Sequence, residues 1–151
     1  MEVGMESIIT LPDERLRYIH HSTHNEKIEM HVESTSIEAI CPYCKTVSQK
    51  VHSKYIRKLW DLPIQGKKTL LHLHNKKYFC ANKNCGHKTF AEQFAFYEPN
   101  AVRTNRLHDE ILRISLTQSS VSAAKYLRES VTEVGKSTIC EMVKKTKDKC
   151  G

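Results

Sequence analysis

Four of the six cysteines fall in two close pairs. Cys41-Pro42-Tyr43-Cys44 is a C-x2-C pair, and Cys80 and Cys85 form a C-x4-C pair after a further 35 residues. Two thiolates two residues apart sit at the tip of a tight turn and can hold one metal ion. A second such turn brought alongside closes a tetrahedral four-sulfur site suited to zinc. Four protein ligands leave no open position for a substrate water, so Cys41, Cys44, Cys80 and Cys85 are expected to hold one structural Zn2+. Lysines at 45, 83 and 88 would also lower the thiol pKa values. Other readings compete. Two disulfides need an oxidising compartment that nothing in the sequence implies, and a redox dithiol at Cys41/Cys44 lacks a thioredoxin-like context. His87 could join or replace Cys85, with His52 and His74 as weaker alternatives. Most of the nine histidines read as half-exposed strand residues. Cys140 reads as a small core residue on a helix, and Cys150, next to the last residue, as unstructured.

The elements that must position these residues follow from periodicity. Leu16-Arg17-Tyr18-Ile19, a turn at Asn25-Glu26, and the alternation of Ile28, Met30 and Val32 with Glu29, His31 and Glu33 predict a β-hairpin. Val51 to Leu59 is mixed, and Leu62-Pro63-Ile64-Gln65-Gly66 is expected to break the chain. Residues 69–74 predict another strand, with a hairpin turn at Asn75-Lys76 leading into Tyr78-Phe79-Cys80. After Pro99 the period becomes helical. Leu107, Ile111 and Ile114 predict one helix, with Asp109 and Glu110 near its first turn, and Ala123, Ala124 and Leu127 a second. Ile139, Met142 and Val143 predict a third from Ser137 or Thr138, with a Thr138–Glu141 capping box and Gly135 just outside. The fold class expected is α+β, a small β-rich module followed by three helices.

Composition bounds the function. With 151 residues, 39% of them hydrophobic, the chain allows one domain or two small modules and has no apolar run long enough to span a membrane. Met1 to Leu11 lacks the basic and apolar regions of a secretory signal. The net charge of +7 is unevenly spread: residues 1–40 carry −5, residues 41–98 carry +8 and residues 99–151 carry +4. The expected division is an acidic leader with a short hairpin (1–40), a zinc-binding, zinc-ribbon-like β module (41–98) and a helical module (99–151). A basic stripe beginning at Cys41 suits a polyanion surface as well as it suits a solubilising face.

A resemblance extends this reading. Ile40-Cys41-Pro42-Tyr43-Cys44, Val51-His52-Ser53, Leu59-Trp60-Asp61-Leu62-Pro63 with Gly66, Lys77-Tyr78-Phe79-Cys80, and Cys85 followed by Lys88-Thr89-Phe90-Ala91-Glu92 occur in order. Arg103-Thr104-Asn105-Arg106-Leu107 and Gly135-Lys136-Ser137-Thr138-Ile139 continue the pattern. Together they resemble the N-terminal region of the ISL-three family of bacterial insertion-sequence transposases. That family implies a zinc-binding domain, a helix-turn-helix and a later DDE catalytic domain. Here Gly86-His87-Lys88 follows Cys85 where relatives carry a basic pair, which favours four cysteine ligands. The sequence given ends at Gly151, where the catalytic domain would begin, so a truncated, non-enzymatic copy is expected. Asp13, Asp61, Asp109 and Asp148 are read as surface or capping residues.

In a helix-turn-helix the N-terminal residues of the recognition helix reach base edges. By the resemblance these are Lys136, Ser137, Thr138 and Glu141, with Lys144 and Lys145 on phosphates. Arg103 and Arg106, and in the zinc module Lys50, Lys54, Arg57, Lys67, Lys68, Lys76 and Lys77, would supply further backbone contacts. No aromatic ladder suggests single-strand stacking, so the expected partner is double-stranded DNA at insertion-sequence ends. A homodimer or a full-length transposase is a further implied partner, the expected location is the bacterial cytoplasm and nucleoid, and no membrane is involved. The competing class is a protein-interaction module or regulator.

Overall fold

The structure, a computed structural model, describes residues 9–150, apart from the side chains of Ser120 and residues 147–150. Seven strands precede three helices: β1 (Leu16–His24), β2 (Lys27–Ser34), β3 (Ala39–Ile40), β4 (Val47–Ser48), β5 (Val51–Ile64), β6 (Lys67–Phe79), β7 (Thr89–Ala91), α1 (Asn105–Ser115), α2 (Ser120–Ser130) and α3 (Lys136–Cys150). A five-stranded sheet runs in the order β1-β2-β6-β5, with β7 paired to β6, and β3 and β4 form a separate two-stranded ribbon. The α+β class read from the sequence is the one observed.

Two hairpins turn on consecutive left-handed residues. Asn25 and Glu26 have φ of 47° and 64°, and Gln65 and Gly66 have 50° and 77°. Two positive φ values in a two-residue loop match the right-handed twist of the flanking strands. The β1–β2 turn therefore stands where the sequence put it. Two other expectations are corrected. Leu62-Pro63 does not break the chain, because Pro63 lies within β5, the last strand in the sheet order, and an edge strand is where a sheet tolerates proline. Nor is Asn75-Lys76 a turn, since β6 runs straight through it. Asn75 is buried in line with Thr69, Leu71 and Leu73. Its amide donates to the Tyr55 hydroxyl (3.0 Å) and the Glu92 carbonyl (3.2 Å), so this polar side chain is satisfied inside the sheet.

The chain forms two compact units. Among the described residues, the first holds those up to His21, Met30–Lys58 and Leu71–Phe96; the second holds Ser22–Glu29, Leu59–Leu70 and those from Tyr97 onward. Residues on both sides of position 40 share the first unit, and β1 and β2 lie in the same sheet as β5 and β6. Strand β2 alternates strictly, burying Ile28, Met30, Val32 and Ser34.

In the second unit Leu107, Ile111, Ile114, Ala123, Ala124, Leu127, Val131, Val134, Ile139 and Met142 form one core, with Trp60 and Leu62 of β5 and Val143 packed against it. The second and third helices thus share one core. Thr104 caps α1, its side chain accepting from Leu107 N–H, and the first turn holds no acid, so Asp109 and Glu110 lie deeper in the helix than expected. Ser119 caps α2 through the N–H of Ser122. α3 starts at Lys136, with the Gly135 carbonyl accepting from Ile139 N–H at 3.1 Å. Thr138 therefore sits inside the first turn, and the proposed capping box is displaced. The helix also runs on to Cys150.

Candidate functional site

The first cysteine pair is carried by the β3–β4 ribbon, in which Ala39 pairs with Ser48 and Ile40 with Val47. Between these strands Lys45 N–H donates to the Cys41 carbonyl and Cys41 N–H to the Thr46 carbonyl, both at 2.9 Å, and Lys45 takes φ 64° to close the turn. The second pair follows the end of β6, where Tyr78 pairs with Phe90 and Phe79 with Thr89. Cys80 N–H reaches the Lys88 carbonyl at 2.8 Å, and Cys85 N–H reaches Asn82 at 3.1 Å. Cys41 is buried with Ala39, Tyr78 and Phe90, and the other three cysteines pack against that floor.

All four sulfurs lie within 4.8 Å of one another, and they are the only such ligand group among the described residues. Cys44 and Cys80 Sγ stand 3.4 Å apart. Tetrahedral zinc with Zn–S near ~2.3 Å requires sulfur separations of about 3.8 Å, so the donor set fits the ion with small adjustments. The thiols are free, which disposes of the two-disulfide reading. Histidine does not complete the set. His87 stacks on Tyr43 with ring centroids 3.5 Å apart, His52 packs edge-on against Phe79, and His74 bonds His31.

The thiols differ in acidity. Hydrogen bonds from the Thr46 side chain and backbone hold Cys44 down at about 6. For Cys80 a backbone bond with Asn82 acts downward, but burial and the neighbouring sulfurs outweigh it and push the thiol up to about 12. Cys85 is raised too, burial and Cys44 overcoming a backbone bond with His87. The causes are local hydrogen bonds and sulfur neighbours, which corrects the attribution to surrounding lysines. One sulfur thus carries negative charge readily, and a divalent ion would draw protons from the others.

The cationic residues singled out in the sequence are dispersed. Lys136, Ser137, Glu141, Lys144 and Lys145 are exposed on α3, with Thr138 half-buried, while Ile139 and Met142 face the core. Lys68 pairs with Glu133 (2.5 Å), Lys76 Nζ donates to the Ser36 carbonyl (2.9 Å), and Lys50 and Lys77 lie over Phe79 and Tyr55. Lys54 is exposed, and Arg57 and Lys67 are half-buried. Arg103 is half-buried, and burial lowers its pKa.

Arg106 is committed inward. Its Nε and Nη2 donate to Asp61 Oδ1 and Oδ2 at 2.8 and 2.6 Å, and Thr104 Oγ1 donates to Oδ1 at 2.8 Å. Asp61 is 3% exposed, so its reading as a surface or capping residue is corrected. The signal was present: an acid alternating with Leu59 and flanked by Trp60 and Leu62 faces inward and needs a cation. Cys140 is exposed on α3, not in the core, because Ile139 takes the inward position beside it. Asp13 bonds Arg15, Asp109 is exposed, and the side chain of Asp148 lies outside the described residues.

No helix among the described residues is long and apolar enough to cross a membrane. No curated protein and no solved structure matches the chain. Residues 38–85 match the family model of the zinc-finger of transposase IS204/IS1001/IS1096/IS1165, a span that contains all four cysteines. Residues 38–85 are thus similar to a transposase zinc finger, and the cluster of Cys41, Cys44, Cys80 and Cys85 that they hold fits one structural Zn2+.

Proposed function

We propose that this chain binds double-stranded DNA at insertion-sequence terminal repeats, with α3 as the recognition helix and the zinc finger as a second contact. The observation that carries the reading is the division of α3. Its apolar residues Ile139 and Met142 are buried against α1 and α2, while Lys136, Ser137, Glu141, Lys144 and Lys145 stay exposed. Lys136, Ser137, Thr138 and Glu141 lie in the first two turns, the part of such a helix that reads base edges, and Lys144 and Lys145 meet phosphates. Arg103, Lys54, Arg57, Lys67 and Lys77 supply further backbone contacts. Arg106, Lys68 and Lys76 serve first the internal bonds described above. The chain acts as a DNA-binding part without strand-transfer activity of its own, alongside a second copy or a full-length transposase on the nucleoid.

Retardation of a duplex carrying the terminal repeat, against a scrambled duplex, tests this. Binding should fall steeply with salt, vanish with a zinc chelator, and lose roughly one unit of log–log salt slope for each of Lys144→Ala and Lys145→Ala. Salt-independent or absent binding contradicts it. Recovery of a partner protein after nuclease treatment, without retardation, favours an interaction module, and strand transfer by this chain alone overturns the non-catalytic reading.

A further inference from the structure

Outside the zinc centre, four histidines of the first unit gather on one face of the sheet: His20 on β1, His31 on β2, and His72 and His74 on β6. The His31 ring lies stacked between those of His20 and His72, with centroids 4.2 and 4.4 Å apart and planes 14° and 13° from parallel. Its Nδ1 shares a hydrogen bond of 2.7 Å with His74 Nε2. Met30, Val32, Leu71 and Leu73 are buried on the opposite side, so strand alternation puts the imidazoles on the other face, where His20 is exposed, His31 and His74 are half-buried, and His72 is buried within the stack. The rings stack and do not converge their nitrogens, and no such group of metal ligands forms here.

The charged neighbours come from every strand around the stack. Arg17 of β1 pairs with Glu33 of β2. Lys54 of β5 and His74 act on Glu33 electrostatically, and Arg17 holds that carboxyl below its ordinary range. Lys58 shares the Lys54 side of β5 by strand alternation, and Lys76 follows His74 on β6. Glu29 shares the His31 side of β2 as Glu33 does and pairs with Lys27, so the permanent cations of these strands outnumber the two carboxylates. Imidazole is the side chain whose charge changes between about pH 5 and 8. Within the intact stack, the His31–His74 bond needs one unprotonated nitrogen, and cationic rings face to face repel. An anion laid over the face offsets that repulsion.

We propose that this imidazole face docks the phosphate backbone of duplex DNA and takes up protons as it does so. The inference rests on the DNA-binding reading above and assigns it a second, proton-coupled surface. Because binding and protonation are reciprocal, lower pH must tighten binding if DNA binding takes up protons.

The test uses the zinc-loaded chain and a mixed-sequence duplex. Retardation is measured between about pH 6 and about pH 8 with zinc content checked at each, alongside His20→Gln and His74→Gln. Calorimetry in buffers of different ionisation enthalpy counts protons for the unaltered protein, independently of whether the variants fold. Binding about tenfold or more tighter at the lower pH, net proton uptake, and flattening of the pH response in the variants are expected. Retardation without proton uptake, or an undiminished pH response in folded variants, overturns this inference and leaves the DNA reading standing. No retardation at any pH in low salt overturns both.

Discussion

Replacing Asp61 by Ala removes the single carboxylate on which two side chains of the helical unit converge. Asp61 accepts from Arg106 Nε and Nη2 and from Thr104 Oγ1 at 2.6–2.8 Å, and its own side chain is 4% exposed. Deleting one partner of a buried ion pair costs ~3–5 kcal/mol, because the other charge is left uncompensated. Arg106 is 32% exposed and can be partly rehydrated, which favours the lower end. Thr104 also caps α1 and loses the acceptor that orients its hydroxyl. We expect Asp61→Ala to destabilise the helical unit by about 3 kcal/mol, and Asp61→Asn, which keeps an acceptor for Thr104, by about 1–2 kcal/mol. Trp60 is the sole tryptophan and packs on the helical core, so its fluorescence in a urea titration reports this unit. The Asp61→Ala/Arg106→Ala pair should cost less than the sum of the single changes by roughly 1 kcal/mol or more. A loss below about 1 kcal/mol for Asp61→Ala, or strict additivity, would refute the buried-pair argument.

Zinc affinity should rise with pH. Cys80, at about 12, and Cys85, also raised, are protonated at neutral pH and must release protons to the ion. These two protons alone give at least about 100-fold per pH unit from about pH 7 upward, read by competition with a chromophoric chelator, and a flat response contradicts it. Cys44→Ser should reduce zinc content below one equivalent, whereas Cys140→Ser, at an exposed position, should keep full zinc and change stability by no more than about 0.5 kcal/mol in the same titration. Gly66→Ala meets no atom within 4 Å but must hold φ 77°. It should cost about 1 kcal/mol by urea titration, and a neutral or stabilising result would remove the strain argument.

The four-cysteine cluster is legible because thiol spacing encodes turn geometry locally, and the β2 and helix patterns because one face of each is buried in a regular period. What failed were judgements made from residue type alone. Asn75-Lys76 looked like a turn until the Tyr55 hydroxyl and the Glu92 carbonyl satisfied the amide, and both partners are distant in sequence. Pro63 reads as a break in the sequence because sheet order, which places β5 last, is not written in any short window. Asp61 and Arg106 lie 45 residues apart and the four histidines span three strands, so neither cluster exists before the sheet pairs.

The claim on which the rest stands is a single four-sulfur zinc centre at residues 38–85. Zinc-edge X-ray absorption of the purified chain, with zinc quantified per polypeptide, tests it most directly. One zinc surrounded by four sulfurs near ~2.3 Å is the result predicted. A shell containing a histidine nitrogen, or no stoichiometric zinc, would contradict it.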